Sequence, residues 1–204
     1  MYLKIMTGKY TNIHWQKNKG LCYTGCIENI NGVSYKTRGG FPMREVKAVK
    51  INAADFAPYG TFCNMTEPEG YPLSGEIHKF YPDRISGTCV GSMAFSPIAV
   101  RKDDRIVKMA EYHTTTWEGI VALDDDMIIH VAPASGGTPV PELTKAFIVP
   151  KGYMVKINAA IWHLCPLPLN NDELHAMIIL PECTYANDCT VVEFEEKDWF
   201  KITV

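Results

Sequence analysis

Gly119-Ile120-Val121-Ala122-Leu123-Asp124-Asp125-Asp126-Met127-Ile128-Ile129-His130-Val131-Ala132 is the run that decides the fold. Two short stretches rich in isoleucine and valine flank three consecutive carboxylates, the pattern of two strands joined by a solvated hairpin turn. Working outward, similar stretches recur at Val46–Ile51, Thr88–Phe95, Ala146–Val149, Met154–Ile157 and Ala176–Leu180. Turn residues separate them, as in Ser135-Gly136-Gly137-Thr138-Pro139 and Pro150-Lys151-Gly152-Tyr153. Strands this short at near-regular spacing predict a sandwich or barrel, with short helices only around 141–145 and 195–198. The expected class is mainly β.

The 204 residues carry 20 Lys+Arg against 23 Asp+Glu, with 47% hydrophobic residues. That composition is globular, and it provides neither a basic field for a nucleic-acid backbone nor a polybasic membrane anchor. The longest apolar runs fall far short of the roughly 20 residues that cross a bilayer. Seven cysteines at irregular spacing read as reduced thiols, and the Cys22/Cys26 pair lacks the further ligands of a zinc knuckle. With no secretory leader pattern at the start, the expected compartment is the cytoplasm. The breaker cluster Arg38-Gly39-Gly40-Phe41-Pro42 sets residues 1–44 apart as an arm, leaving 45–204 as the barrel.

Chemistry concentrates in Glu111-Tyr112-His113-Thr114-Thr115-Thr116-Trp117-Glu118. Residues two apart on a strand share a face, so Glu111 and His113 are expected to point together as an acid/base pair or half of a metal site. The Glu-x-His-x4-Glu spacing resembles the first cupin motif, with Glu111 in place of its first histidine. Pro150-Lys151-Gly152 resembles the Pro-x-Gly turn of the second, and His163 follows as a further candidate ligand. A set of this kind takes a divalent ion such as Ni, Zn or Mn. His130 lies on the opposite face of its strand from Ile129 and Val131, inward or outward according to register. His78 repeats the Glu-x-His spacing in Glu76-Ile77-His78.

Beyond Ala53 the order of several pieces resembles the ureidoglycolate lyase family. They are Phe56-Ala57-Pro58-Tyr59-Gly60, Glu111-Tyr112-His113, Lys145-Ala146-Phe147-Ile148, Ile161-Trp162-His163 and the tail Asn187-Asp188-Cys189-Thr190-Val191-Val192-Glu193-Phe194. The resemblance implies a homodimeric, cupin-like β-barrel (double-stranded β-helix) that splits ureidoglycolate into glyoxylate and urea, in some members with a divalent metal. It places Glu111, His113 and His163 in the catalytic pocket, with His78 near a further family histidine. Where the family carries an Asn-Arg pair, this chain reads Met93-Ala94-Phe95-Ser96-Pro97. Lys79, Arg84 or Lys156 is then left to grip a substrate carboxylate, and Trp162 completes the expected substrate contacts. Two other readings stay open: a metal-dependent cupin isomerase or epimerase acting on a sugar or sugar acid, and a non-catalytic small-molecule-binding barrel.

Overall fold

A computed structural model of the protein describes residues 43–204. The arm expected over 1–44, with Cys22 and Cys26, lies up to residue 42 outside the described residues. The domain opens with β1 (Arg44–Lys50), α1 (Ala53–Phe56), β2 (Gly60–Asn64) and the small hairpin β3 (Leu73–Ser74) and β4 (Lys79–Phe80). Next come β5 (Met93–Arg101), β6 (Ile106–Val107), β7 (Met109–Tyr112), β8 (Glu118–Ala122) and β9 (Met127–Ala132). After these follow β10 (Lys145–Val149), β11 (Tyr153–Ile157), β12 (Trp162–His163), β13 (Leu167–Pro168) and β14 (Glu173–Pro181). The chain closes with α2 (Thr184–Asn187), β15 (Thr190–Glu193) and β16 (Phe200–Thr203). The fold is mainly β and cupin-like, and each α-helix is a single turn.

Apart from the β3–β4 hairpin, two sheets share the strands. The larger runs β15-β7-β12-β9-β10-β1-β16-β6, with β13 also paired to β9; the smaller runs β2-β11-β8-β14-β5. Only Lys108 separates β6 from β7, yet they stand at distant places in the strand order, so the larger sheet curls back on itself. Strand alternation divides its side chains between two cores. Met127, Ile129, Val131, Phe147 and Val149 face the smaller sheet, where they meet Ile120, Ala122, Val155, Ile157, Leu174, Ala176 and Ile178. Ile128 and Ala146 point the other way, into a second cluster with Val46, Ala48, Val107, Phe200 and Ile202. Complete burial of each large member stabilises the fold by about 1.5–3 kcal/mol.

The register turns His130 away from the smaller sheet, buried in that second region with its ring edge-on to Phe200 at 6.0 Å between centroids. The expected strand over Thr88–Phe95 begins instead at Met93 and continues through Pro97 to Arg101. Pro97 is tolerated because β5 is the outer strand of its sheet, where a missing N–H breaks no ladder.

The Asp124–Asp126 run does not close a hairpin. β8 belongs to the smaller sheet and β9 to the larger, so the turn is a corner between layers. The Pro150–Gly152 turn is a second such corner between β10 and β11, with Gly152 at φ 80°, where L side chains are strained. The two corners are stapled together: Asp126 accepts from the Lys151 amide at 2.8 Å, and Gly152 donates to the Ala122 carbonyl at 3.1 Å. Asp125 is not solvated but 4% exposed, and its carboxylate accepts the Asn170 and Asn171 amides and the Asn170 side-chain NH2, each at 2.9 Å. Asp125→Ala leaves these donors without partners, and urea unfolding is expected to show a loss of about 1–3 kcal/mol. Wild-type stability in that variant would refute a structural role for the acidic corner.

Candidate metal centre

β7 ends at Tyr112, and the turn over 113–117 carries the chain across to β8 in the other sheet. β12 pairs with both β7 and β9, setting His163 opposite Glu111 on one side and Val131 on the other. Directly opposed residues share a face, and Val131 belongs to the core between the sheets, so Glu111 and His163 point inward with it. Glu118 opens β8 opposite Ile157, another member of that core, and enters the same space from the facing sheet. Glu111, His113, Glu118 and His163 thus each offer a ligand atom, all within 4.8 Å of one another. Three of the four are buried, and Glu111 is partly exposed.

The hydrogen bonds set the protonation problem. His113 Nδ1 lies 2.7 Å from the Asp188 carbonyl, and His163 Nδ1 lies 2.8 Å from the Ile161 carbonyl. A carbonyl only accepts, so each Nδ1 carries the proton and, in a neutral ring, each Nε2 holds a lone pair. Both Nε2 atoms face the same oxygen, Glu118 Oε2, at 2.9 Å and 3.1 Å. Three acceptors meeting in a buried site need a proton or a cation among them. Ligands about 2.1 Å from one metal and at right angles to each other stand roughly 3 Å apart, which matches these separations.

Titration follows from the same contacts. Burial works against charge on Glu118, but the His163 and His113 imidazoles outweigh it and hold the carboxyl well below its usual range, at about 2. Burial lowers both imidazoles, and the Glu118 carboxylate more than reverses this, leaving His113 and His163 above the ordinary value. His130, buried on the other face of β9, is pushed down to about 3 by burial and then by the His163 charge, so it stays neutral. Cys189 donates its thiol hydrogen to Glu111 Oε2 at 3.3 Å, and burial followed by the Glu111 charge pushes the thiol up to about 12. Tyr185, half-exposed, turns its ring edge toward His113 with 6.1 Å between centroids.

The structure brings together Glu111, His113 and His163 and adds Glu118, whose place in the Glu-x-His-x4-Glu spacing was the only signal for it in the sequence. It does not bring in the expected substrate contacts. Trp162 points to the opposite side of β12 from His163, packing with Ala110 and Ala132 and donating to Ser135 Oγ at 2.8 Å. Lys156 alternates with the inward Ile157 and bonds the Ser86 carbonyl at 2.6 Å. His78 and Lys79 lie exposed on the β3–β4 hairpin. Arg84 donates to the Glu69 and Pro82 carbonyls beside a surface cleft walled by Phe56, Phe62 and Tyr153. Asp188 and Cys189 stand in the tail piece of the resemblance, but, like Tyr185, they lie more than 70 residues from Glu111 and His113 in the chain, and nothing in the sequence ties them to the cluster.

A cupin-like double sheet with a buried His/Glu cluster between its layers defines the class. Residues 43–201 match the profile of the ureidoglycolate lyase family, and the chain belongs to that family. Comparison with curated proteins yields no match. Among solved structures, Bacillus subtilis oxalate decarboxylase is 16% identical over 50% of this chain and 24% of its own, with a TM-score of 0.36. A dTDP sugar isomerase from Desulfovibrio desulfuricans G20 is 8% identical over 69% of this chain and 89% of its own, with a TM-score of 0.44. The chain therefore spans about a quarter of the length of the oxalate decarboxylase.

In the metal-free protein the raised imidazoles stabilise the fold fully below about pH 6.5, and that contribution is lost as pH rises through their folded values. The lowered Glu118 stabilises above about pH 4.5, and this is lost as pH falls toward 2. The wild-type advantage over Glu118→Gln, measured by urea unfolding in EDTA, is expected to be largest near pH 5.5 and to narrow by pH 9. An advantage independent of pH would contradict the shared-proton arrangement.

Proposed function

We propose that the protein is a metal-dependent lyase of the ureidoglycolate type, with His113, His163, Glu118 and Glu111 holding one divalent ion of the Ni, Zn or Mn class. The observation that carries this reading is the meeting of two Nε2 lone pairs and a carboxylate oxygen at 2.9 Å and 3.1 Å inside the core. Imidazole and carboxylate donors suit these ions, and their chemistry alone does not choose among them. Bound there, such an ion supplies positive charge that holds a substrate carboxylate and lowers the pKa of a substrate hydroxyl.

The chain's own residues carry the remaining roles. Glu111, the partly exposed member, accepts the hydroxyl proton of the carbinolamine carbon. The oxygen's electron pair then forms the carbonyl, the C–N bond breaks, and Glu111 returns the proton to the departing urea nitrogen. Glyoxylate and urea result with no other reactant, and a positioned base of this kind supplies roughly 10²–10⁴ in rate. Burial of His113, Glu118 and His163 keeps bulk water from the inner side of the site.

Among the described residues, no lysine or arginine bonds any of the four cluster side chains. This favours a second reading, an isomerase or epimerase acting on a sugar or sugar acid, since a neutral sugar needs no cationic side chain. A homodimer is part of the proposal, supported by the exposed apolar residues Tyr71, Ile77, Val90 and Phe95. A reducing, cytoplasmic setting agrees with five free cysteines among the described residues.

Purified wild type is expected to carry about one equivalent of divalent metal by elemental analysis and to release glyoxylate from ureidoglycolate. His113→Ala is expected to lose most of the metal. Glu111→Gln is expected to lose activity by at least about 10². Full activity in both variants would exclude this assignment, while metal without glyoxylate release would favour the isomerase. Metal added to stripped protein at pH 6 is expected to displace protons from the imidazoles, seen as a buffer-dependent binding enthalpy. A buffer-independent enthalpy would mean that the imidazoles are not the ligands.

A further inference from the structure

Two consecutive residues, distant in sequence from the cluster, each hold a different member of it. Asp188 follows α2 and donates its amide to the Thr184 carbonyl at 2.7 Å, which fixes the exit of that helical turn. Its own carbonyl accepts from His113 Nδ1 at 2.7 Å. Its carboxylate meanwhile accepts the Thr114 amide at 2.7 Å, the Thr115 amide at 2.9 Å and the Thr115 hydroxyl at 2.6 Å. The side chain thus clamps the turn that follows His113, so ring and carbonyl cannot drift apart. One residue later, the Cys189 thiol donates to Glu111 Oε2. β15 then pairs with β7, Val191 opposite Glu111 and Thr190 opposite Tyr112, which locks the register of both contacts.

We infer that Asp188 and Cys189 are the positioning residues of the metal centre, Asp188 fixing the His113 ring with Nε2 toward the ion and Cys189 selecting the carboxylate rotamer of Glu111. This rests on the proposed metal reading. Outer contacts of this kind set ring orientation and ligand basicity, and losing one typically costs 10–100-fold in metal affinity. A strand tether with no role at the site would leave ligand geometry untouched when only the thiol is altered. The roles differ in kind: the clamp acts on an imidazole through the backbone, whereas the thiol acts directly on the most accessible carboxylate.

The test uses the full-length protein, Co²⁺ as probe, and the variants Cys189→Val, Cys189→Ser and Asp188→Ala, with thermal unfolding to verify that each is folded. Cys189→Val is expected to weaken Co²⁺ binding on the order of tenfold and to alter its visible spectrum, and Cys189→Ser, which keeps a donor, to restore most of both. Asp188→Ala is expected to speed solvent exchange of the His113 Nδ1 proton in metal-free protein, read by nitrogen-15 NMR. Wild-type affinity, spectrum and exchange in folded Cys189→Val and Asp188→Ala would overturn the inference. Should wild type take up no Co²⁺, the metal reading fails, and the metal-free exchange alone decides whether Asp188 positions His113. Should Asp188→Ala fail to fold, the Val/Ser pair at 189 decides it.

Discussion

One carboxylate oxygen, Oε2 of Glu118, is shared by two imidazoles, and all three side chains are buried. A charge in that position is tolerated only because opposite charge faces it from two directions, His163 on β12 of the opposing sheet and His113 in the turn that follows β7. The arrangement ties the two layers together through an interaction that chain chemistry alone leaves incomplete. Either protons or a cation must complete it. This makes the centre a ready receptacle for divalent metal, and it makes the metal-free state dependent on proton concentration.

The scaffold answers that demand by its corners. The Asp124–Asp126 and Pro150–Gly152 turns carry the chain from one sheet to the other and are hydrogen-bonded to each other, while Asp125 is saturated by amides from the 170–171 turn. The layers are thereby held at a separation filled by Ile120, Ile129, Phe147 and Ile157, and the cluster adjoins this apolar block. Apolar packing on one side excludes water and strengthens every electrostatic contact on the other. The most exposed side chain of the cluster is Glu111, the position at which this chain departs from the His-x-His of the cupin motif.

Much of this was readable in the chain. Alternating Ile and Val stretches at short spacing announced a mainly β fold, and the order of the motif pieces announced the family that the match over 43–201 bears out. Glu111, His113 and His163 stand at motif-like positions in the sequence, and the fold brings their ligand atoms together. Trp162, Lys156, His78, Lys79 and Arg84 lie away from the cluster. Trp162 and Lys156 neighbour inward residues in sequence and for that very reason point outward, since successive side chains on a strand take opposite faces. Three consecutive carboxylates suggest a solvated turn, whereas the asparagines that bury Asp125 arrive 45 and 46 residues later.

The features legible in the sequence are local: strand periodicity, turn chemistry at Gly152, and a short list of residues able to bind metal or move protons. Each depends on groups within a few residues of one another. Only the tertiary structure decided which face each strand shows, that Glu118 rather than a lysine or arginine completes the cluster, and that Asp188 and Cys189 close around it. Those outcomes depend on pairing register between strands far apart in the chain, 80 residues for Val191 opposite Glu111, where a shift of one residue exchanges the inner and outer faces.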